Sequence, residues 1–357
     1  MKISDAIELI QRMYFLQIKT GDRFTIELEG PPGCGKSEIV PWCAELISKQ
    51  LDKPVACTDV FLNSKESVDM GGFGLPDDDP EDGSKIMVFT KAFWVPRASA
   101  PKHGILFLDE FRQSPHDVQK PSAELLLNGR VNTSELPITW MVIGASNREK
   151  DRSGVQRELM FVSNRRCLIR ITPDLDSWVD WAETRGNVPW QAIAFAKHRP
   201  GLVFTDEIPQ DGGPFCTPRT FVKMSRLIDE LPMNLFTEAA AGYVGEGTAA
   251  EFCSFLRVVG ELPTFDEIVA DPEGCKLPSS GKPDAQYATM QMIAHRVDGT
   301  TAAAAFNYLK RMPQEFQVAG LRSTLKRQPT VLNNPDFAKW VRENKKLIVN
   351  ANLLSTM

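Results

Sequence analysis

The sequence predicts an α/β fold in which a parallel β-sheet lies between helices and is followed by a helical region. Strand-like and helix-like patterns alternate from Phe24 to Ile171. A glycine-rich loop separates the first of these strands from the helix after it. Beyond Pro173 the strand pattern fades and helical spacing takes over. Because strands that alternate with helices usually pair side by side, these observations favour a parallel sheet with helices on both faces.

The elements of this fold are predicted in order along the chain. Apolar residues at helical spacing, from Ile3 to Tyr14, indicate a short N-terminal helix within residues 1–20. Further helices are predicted at 38–50 and 118–127. Alternating or continuous apolar patterns predict five strands, at 24–29, 54–62, 104–108, 138–145 and 167–171.

A less regular segment separates the second and third predicted strands. We expect an irregular stretch at 70–76, an acidic turn at 77–82 and a small hairpin that pairs 86–89 with 92–95. Phe73 lies among glycines in the irregular stretch. Two interpretations of Phe73 stay open: an exposed aromatic on a flexible loop, which could grip a polypeptide, and an aromatic that caps the core.

The loop after the first strand matches the G-x-x-x-x-G-K-[ST] pattern of a phosphate-binding P-loop. Its residues are Gly30, Pro31, Pro32, Gly33, Cys34, Gly35, Lys36 and Ser37. The glycines allow backbone N–H groups to turn towards an anion, and the helix N-terminus adds favourable partial charge. Lys36 is predicted to reach the β- and γ-phosphates of a nucleotide, and Ser37 to ligate Mg²⁺. The alternative is a glycine-rich turn without a ligand, but strand, loop and helix occur in the required order.

The third predicted strand has an apolar run, Ile105–Leu108, that ends in two acidic residues, Asp109 and Glu110. An unbroken apolar strand is typical of the middle of a parallel sheet. Open α/β sheets bind ligands at the carboxyl ends of their strands, which is where these acids lie. Asp109 is predicted to hold Mg²⁺ beside Ser37, directly or through a water molecule, and Glu110 to polarise the attacking water. Many buried strands end in acids, so the P-loop upstream is what makes this interpretation specific.

Length and composition limit the class of protein. The 357 residues are too many for one ordinary core, which suggests two domains, and 42% of them are hydrophobic and 24% charged, as in soluble globular proteins. The net charge of −5 indicates no general attraction to nucleic acid. No apolar run is long enough to span a membrane, no signal peptide is recognisable, and the seven cysteines form no Cys-x-x-Cys pair. We therefore expect a cytoplasmic protein with reduced thiols.

The two motifs and the residues after them resemble the AAA+ ATPases and, within them, the MoxR branch. Residues 109–115 (DEFRQSP) are similar to the acidic motif of that branch and the Asn-Arg-Ala-Pro after it. Residues 123–131 (AELLLNGRV) are similar to its following helix and turn. The resemblance implies a AAA+ nucleotide domain followed by a helical lid and a helical C-terminal extension. We expect these three parts at 1–175, 176–260 and 261–357.

The resemblance also implies further residues for ATP hydrolysis. Asn147, at the end of a strand, is similar to the sensor 1 residue that positions the attacking water. Arg165 and Arg166 both lie where the family has its arginine finger, and Arg165 aligns better because Arg166 stands where the family usually has Phe. Arg219 is similar to the sensor 2 arginine, which reaches the γ-phosphate from the start of a lid helix. The alternative for each arginine is a surface charge or a salt bridge.

In the family the finger acts across subunits, so the resemblance implies a ring, commonly a hexamer, with ATP and Mg²⁺ bound between subunits. It also implies a protein client, a partner with a von Willebrand factor A domain, and a hairpin insertion at 85–94. One alternative is a nucleic-acid motor, against which the acidic balance argues. Another is a nucleotide-gated scaffold without hydrolysis, against which the intact Lys36, Asp109 and Glu110 argue.

Overall fold

The computed structural model describes residues 1–151, 154–155, 164–205, 209 and 212–344. The chain divides into two compact units, Met1–Pro173 and Asp174–Met357. The first unit contains a five-stranded sheet, and the described part of the second is built from helices. Among the described residues, no helix combines the length and the apolar character needed to cross a bilayer.

Strands and helices alternate in the first unit, as the sequence predicts. Its helices are α1 (Ile3–Thr20), α2 (Lys36–Leu51), α3 (Ser67–Gly71) and α4 (His116–Asn128). Its strands are β1 (Ile26–Glu29), β2 (Val55–Phe61), β3 (Gly74–Asp78), β4 (Lys85–Phe89), β5 (His103–Asp109), β6 (Arg130–Val131), β7 (Ser134–Glu135), β8 (Trp140–Ser146) and β9 (Cys167–Arg170). The predicted N-terminal helix is confirmed, and it is followed by Gly21, whose φ of +77° favours glycine after a helix.

Strands β2, β5, β8, β1 and β9 form one parallel sheet in that order. All five predicted strands of the sheet occur in it, so the predicted α/β class is confirmed. In β1, Ile26 pairs with Ile143 on one side and with Cys167 on the other. Because these strands all run the same way, their carboxyl ends and the loops that follow them meet at one edge of the sheet.

Apolar side chains cover both faces of this sheet. Along β5, Ile105 and Phe107 belong to the hydrophobic cluster that includes residues of α1 and α2, whereas Leu106 and Leu108 belong to the cluster that includes residues of α4. Successive side chains of a strand point to opposite faces. An unbroken apolar run is therefore what a strand buried on both faces requires, and it holds the acidic residues after it at the sheet edge.

The hairpin between β2 and β5 differs from the prediction. Strand β4 (Lys85–Phe89) pairs antiparallel with β3 (Gly74–Asp78) and not with residues 92–95. The sequence pattern conceals β3 because Pro76 and two aspartates are rare in strands, although an edge strand tolerates them. The segment expected to pair with β4 instead buries Trp94. The predicted hairpin is therefore wrong in its pairing and its extent.

This hairpin exposes apolar side chains on both of its faces. Phe73, just before β3, is 60% exposed, so the interpretation that it caps the core is wrong. Leu75 and Val88 pair across the two strands and are exposed. Met87, on the opposite face, is exposed as well.

The second unit contains two hydrophobic clusters, one formed mainly by its earlier helices and one by its later helices. The earlier helices are α5 (Leu175–Thr184), α6 (Trp190–His198), α7 (Pro200–Val203), α8 (Pro218–Ser225), α9 (Met233–Val244) and α10 (Glu246–Gly260). The later helices are α11 (Phe265–Ala270), α12 (Pro283–Arg296), α13 (Ala302–Leu309), α14 (Gln314–Arg327) and α15 (Pro335–Glu343). The division into a lid and a C-terminal extension stays a prediction.

Candidate functional site

The P-loop connects the end of β1 to the start of α2. Gly33 and Gly35 have φ values of +69° and +95°, a left-handed conformation that residues with a Cβ disfavour. A Cβ on Gly30 would lie 2.9 Å from Sγ of Cys34, so this glycine allows the loop to close on itself. Helix α2 begins at Lys36. The loop therefore leads straight into a helix N-terminus, where anions bind favourably.

The Lys36 side chain folds over the loop and is only 7% exposed. Its Nζ donates to the carbonyl oxygens of Gly30 and Pro31 at 2.8 and 2.9 Å. It also donates to Oδ1 of Asn147 at 2.8 Å. A buried ammonium group needs such acceptors to offset its loss of hydration. Lys36 and Asn147, which are 111 residues apart in sequence, are thus in contact.

Ser37 and Asp109 form a second contact. Ser37 Oγ donates to Oδ2 of Asp109 at 2.9 Å. Ser37 lies in the first turn of α2, and Asp109 is the last residue of β5. A serine hydroxyl and a carboxylate are the oxygen donors that P-loop proteins offer to Mg²⁺. This pair of donors fits a magnesium site, and these two residues would be its protein ligands.

Glu110 begins a tight turn in a backbone conformation that is unusual for its residue type. Its φ is +56° and its ψ is +38°. Its N–H donates to Oδ1 of Asp109 at 2.9 Å, and its carbonyl accepts the N–H groups of Gln113 and Ser114 at 3.1 and 3.0 Å. Such a conformation costs about 1–3 kcal/mol, and Asp52, Asn132 and Asn187 also have positive φ values in this structure. The role predicted for the Glu110 side chain stays a prediction.

Two contacts tie this turn to the end of β8. Oε1 of Gln113 accepts the N–H of Asn147 at 3.4 Å, and Oγ of Ser146 accepts the N–H of Arg112 at 3.2 Å. The acidic motif and Asn147 are therefore held together at the sheet edge. Sequence reasoning missed Gln113 and Ser146. In the sequence, both are marked only as polar residues next to motif residues. The structure adds that both are buried.

A buried ionic cluster on β1 was also missed. Arg112 donates to Oε1 of Glu27 at 2.8 Å and also to Glu29. Arg166 Nε lies 2.9 Å from Oε2 of Glu27, and Arg170 Nε donates to Glu29 at 3.0 Å. These five residues are called the β1 ionic cluster below. Its signal in the sequence is that Glu27 lies in a strand predicted to be covered on both faces, where a charge requires a partner.

Charge pairing in the β1 ionic cluster shifts two pKa values. Burial alone would raise the pKa of Glu29, but hydrogen bonds and charges from Arg112 and Arg170 lower it below its ordinary value. Burial alone would lower the pKa of Arg112, but the charges of Glu27 and Glu29 raise it. Glu29 and Arg112 are therefore both ionised at neutral pH, and their pairing favours the charged forms.

The two candidate finger arginines have different environments. The Arg166 side chain is 4% exposed and belongs to the β1 ionic cluster. Arg165 is exposed, in the short segment before β9, which is an edge strand of the sheet. An exposed arginine beside an edge strand is accessible to a second molecule, whereas a buried, paired arginine is not.

Arg219 belongs to the second unit, where it is exposed in the first turn of α8. That helix begins with a capping box, in which the side chains of Thr217 and Thr220 each accept the other's backbone N–H. The start of a helix is where the sequence predicts this arginine. Its predicted contact with a γ-phosphate stays a prediction.

A scan against protein-family models finds no match for this sequence, and a search of curated proteins finds none either. Among solved structures, the chain is similar to a mutant of RuvB from Thermotoga maritima, with 14% identity, 73% of each chain covered and a TM-score of 0.37. It is similar to PCH-2 from C. elegans, with 12% identity, 70% of this chain and 67% of that chain covered and a TM-score of 0.35. It is also similar to NtrX from Brucella abortus, with 14% identity, 88% and 66% covered and a TM-score of 0.34. All three TM-scores are below 0.5, so these similarities carry no argument about this chain.

Proposed function

We propose that this chain is a AAA+ ATPase of the MoxR type, which hydrolyses ATP between the subunits of a ring and thereby remodels a protein client. The observation that carries the proposal is a pair of contacts, Lys36 with Asn147 and Ser37 with Asp109. These residues come from three separate motifs, and a nucleoside triphosphatase requires them side by side. A glycine-rich turn without a ligand would give no reason for them to converge.

Each of these residues has a task that follows from its chemistry. Lys36 would bring positive charge to the phosphate oxygens, to which backbone N–H groups of the P-loop would also donate. Ser37 and Asp109 would hold Mg²⁺, which neutralises part of the phosphate charge when it is bound. Asn147 would orient the attacking water through its amide, which the hydrogen bond from Lys36 keeps beside the P-loop.

Glu110 would accept a proton from the attacking water. A general base must lie within hydrogen-bond reach of that water, and it contributes about 10²–10⁴ in rate. The turn around Glu110 supports this role, because hydrogen bonds to Asp109, Gln113 and Ser114 hold its backbone in one conformation. A fixed backbone reduces the number of positions that the carboxylate can adopt.

The arginine finger in this proposal is Arg165, which would act on the site of the neighbouring subunit. Its exposure beside the edge strand supports this assignment, since Arg166 is already paired with Glu27. A finger arginine neutralises the charge that spreads over the γ-phosphate oxygens in the transition state. Arg219 is proposed as the sensor 2 arginine on the basis of the motif around it.

The client in this proposal is a protein. The hairpin of β3 and β4 supports this, because Phe73, Leu75, Met87 and Val88 are exposed there. Neighbouring exposed apolar side chains are typical of surfaces that bind other molecules. A partner with a von Willebrand factor A domain belongs to the same proposal and rests on the motifs alone.

Nucleotide binding and ATP turnover test the proposal. Lys36→Ala should lose tight nucleotide binding, because it removes the charge that faces the phosphates. Glu110→Gln should still bind ATP but hydrolyse it about 10²–10⁴-fold more slowly. Glu230→Gln, at an exposed glutamate of the second unit, is the matched control and should match the wild type. Wild-type turnover by Glu110→Gln, or wild-type affinity in Lys36→Ala, would contradict the proposal.

The solution mass of Glu110→Gln, with and without ATP and Mg²⁺, tests the ring. We expect nucleotide to shift the protein from monomer to a closed ring of about six subunits. A protein that binds ATP but stays monomeric would contradict the ring and the role of Arg165. It would leave the assignment of the P-loop intact.

A further inference from the structure

We infer that a buried ionic link, Arg112–Glu27–Arg166, positions the arginine finger. One end of the link lies two residues after Glu110, and the other end is next to Arg165. The inference rests on the proposed function, in which Arg165 acts on the neighbouring subunit. It adds a physical connection within one subunit between its nucleotide site and its Arg165. Through this connection, the state of that site would change the position of the Arg165 that acts on the neighbouring subunit.

The centre of the link is Glu27, a carboxylate without exposed surface. Arg112 Nε donates to one of its oxygens at 2.8 Å, and Arg166 Nε lies 2.9 Å from the other. The two arginine side chains are 10% and 4% exposed. Because Arg112 is hydrogen-bonded to one oxygen and Arg166 is ion-paired with the other, a shift of one arginine changes the position in which Glu27 holds the other.

The sheet explains why these residues meet. Glu27 and Glu29 are two positions apart on β1, so their side chains share one face. In the parallel pairing of β1 with β9, Leu168 lies opposite Glu27 and Arg170 lies opposite Glu29. Arg166 immediately precedes the first residue of β9, and its Nε reaches the second oxygen of Glu27.

Stability alone gives a poor account of this link. Taking charges out of water is expensive, and replacing a buried ionic group by apolar residues of similar volume is often neutral or stabilising. An apolar substitute would fill the same space. It would not make a directional, charge-assisted hydrogen bond between two segments, which Arg112 and Glu27 do make.

Both arginines of the link belong to irregular segments, so each can shift without disrupting a strand. Arg112 lies in the 3-10 turn Phe111–Gln113, and Arg166 lies in the turn before β9. A change in the Glu110 turn when ATP binds or is hydrolysed would displace Arg112, and through Glu27 it would displace the segment of Arg165. Arg112 and Arg166 are thus positioning residues, and their coupling is a free energy that variants can measure.

ATP turnover by Arg112→Met, Arg166→Met and the double variant tests the link. Methionine keeps much of the side-chain length and removes the charge. Each single variant should lower kcat about 10- to 100-fold, as a small misplacement of a catalytic group does, and leave nucleotide affinity unchanged. The double variant should be no slower than the slower single variant, because both substitutions remove the same link. Effects that multiply would overturn the inference.

A triple variant separates positioning from folding. In Glu27→Leu/Arg112→Met/Arg166→Met, apolar side chains replace the whole link, and no member of it is left buried and unpaired. We expect this variant to fold and to keep the low kcat of the single variants. A folded triple variant with wild-type kcat would overturn the inference. Lys197→Met, which breaks a buried ion pair of the second unit, is the control for general destabilisation and should keep the kcat of the folded protein.

Mixed rings provide a readout that a purely structural role would not change. An excess of Glu110→Gln subunits is mixed with wild-type subunits, so that most wild-type sites receive their finger from a Glu110→Gln neighbour. Adding Arg166→Met to the Glu110→Gln subunits should lower turnover by the wild-type sites about 10- to 100-fold. Adding Lys197→Met instead should have no such effect. Equal turnover in these two mixtures would overturn the inference.

The outcomes also distinguish this inference from the proposed function. A wild-type protein that hydrolyses no ATP would overturn both. A wild-type protein whose turnover depends on Arg165, but not on Arg112 or Arg166, would overturn the inference alone.

Discussion

Each of the two units contains a buried ionic cluster, and the two clusters are built differently. In the β1 ionic cluster of the first unit, Arg112 and Arg166 come from irregular segments beside predicted site residues. In the second unit, Lys197 Nζ donates to three oxygens at 3.1, 2.7 and 2.9 Å. The acceptors belong to Glu183, Gln291 and Ser323, and these three residues with Lys197 are called the helical ionic cluster below.

Every member of the helical ionic cluster lies within a regular helix, in α5, α6, α12 or α14. A residue inside a helix cannot shift alone, because its backbone is hydrogen-bonded four residues away. This cluster therefore holds four helices in one arrangement. The β1 ionic cluster instead joins β1 to Arg112 in the 3-10 turn Phe111–Gln113 and to Arg166 in the turn before β9, which lie outside the α-helices and strands. The same buried chemistry is thus expected to affect mainly stability in the second unit and mainly turnover in the first.

The largest effect is expected from Arg165→Ala, next to the β1 ionic cluster. Turnover should fall about 10³-fold or more, because the negative charge on the γ-phosphate oxygens in the transition state loses the positive charge that neutralises it. Nucleotide affinity should stay at the wild-type value, which equilibrium binding measures separately from turnover. Arg257→Ala, at an exposed arginine of the second unit, is the control and should match the wild type. If the two variants turn over ATP equally fast, the proposed role of Arg165 as the arginine finger is wrong.

A smaller effect, on stability, is expected from Lys197→Met in the helical ionic cluster. The substitution leaves Glu183 buried without its cation, so the free energy of unfolding should fall by about 3 kcal/mol. Denaturant unfolding measures this loss. The variant Lys197→Met/Glu183→Gln should recover most of it, because no unpaired charge remains buried. A loss of kcat in the folded double variant would contradict the expectation that the helical ionic cluster affects mainly stability.

The next effect in size is a change in the free energy of unfolding with pH, caused by a partly buried histidine of the second unit. Burial, together with the nearby charge of Arg327, lowers the pKa of His295 to about 4. An unfolded histidine titrates near pH 6.5, so between these values the unfolded chain binds the proton more tightly. The free energy of unfolding should therefore fall as the pH drops from about 6.5 to about 4, by about 2 kcal/mol after allowance for solvent screening. Unfolding of wild type and His295→Gln at both pH values measures this, and equal losses in the two proteins would speak against it.

The smallest effect is expected at the outer edge of the β1 ionic cluster. Arg170 pairs with Glu29, but its side chain is 76% exposed. Ion pairs in contact with solvent contribute about 1 kcal/mol or less, and salt weakens them. Arg170→Ala should therefore change the free energy of unfolding by no more than this, and by less at high salt. A change as large as that of Lys197→Met would mean that the edge of the cluster matters as much as a buried pair.

Local patterns predicted the sheet and the core of the candidate site. A loop such as Gly30–Ser37 needs glycines at particular backbone conformations, and a strand such as β5 needs apolar residues on both faces, so both leave a contiguous signal. The hairpin prediction failed because Pro76 makes an exposed edge strand look irregular. Edge strands have little burial to impose a pattern, so their pairing is poorly encoded in a short window.

The sequence by itself determined the parallel α/β class, the P-loop and the acidic residues beside it, because each follows from neighbouring residues along the chain. Only the tertiary structure decided which charges meet. Glu27 and Arg112 are 85 residues apart in sequence, and their contact depends on the position of β1 in the sheet and on the turn after β5. No local propensity specifies such a pairing, because side chains distant in sequence become partners only after the strands have chosen their order and register.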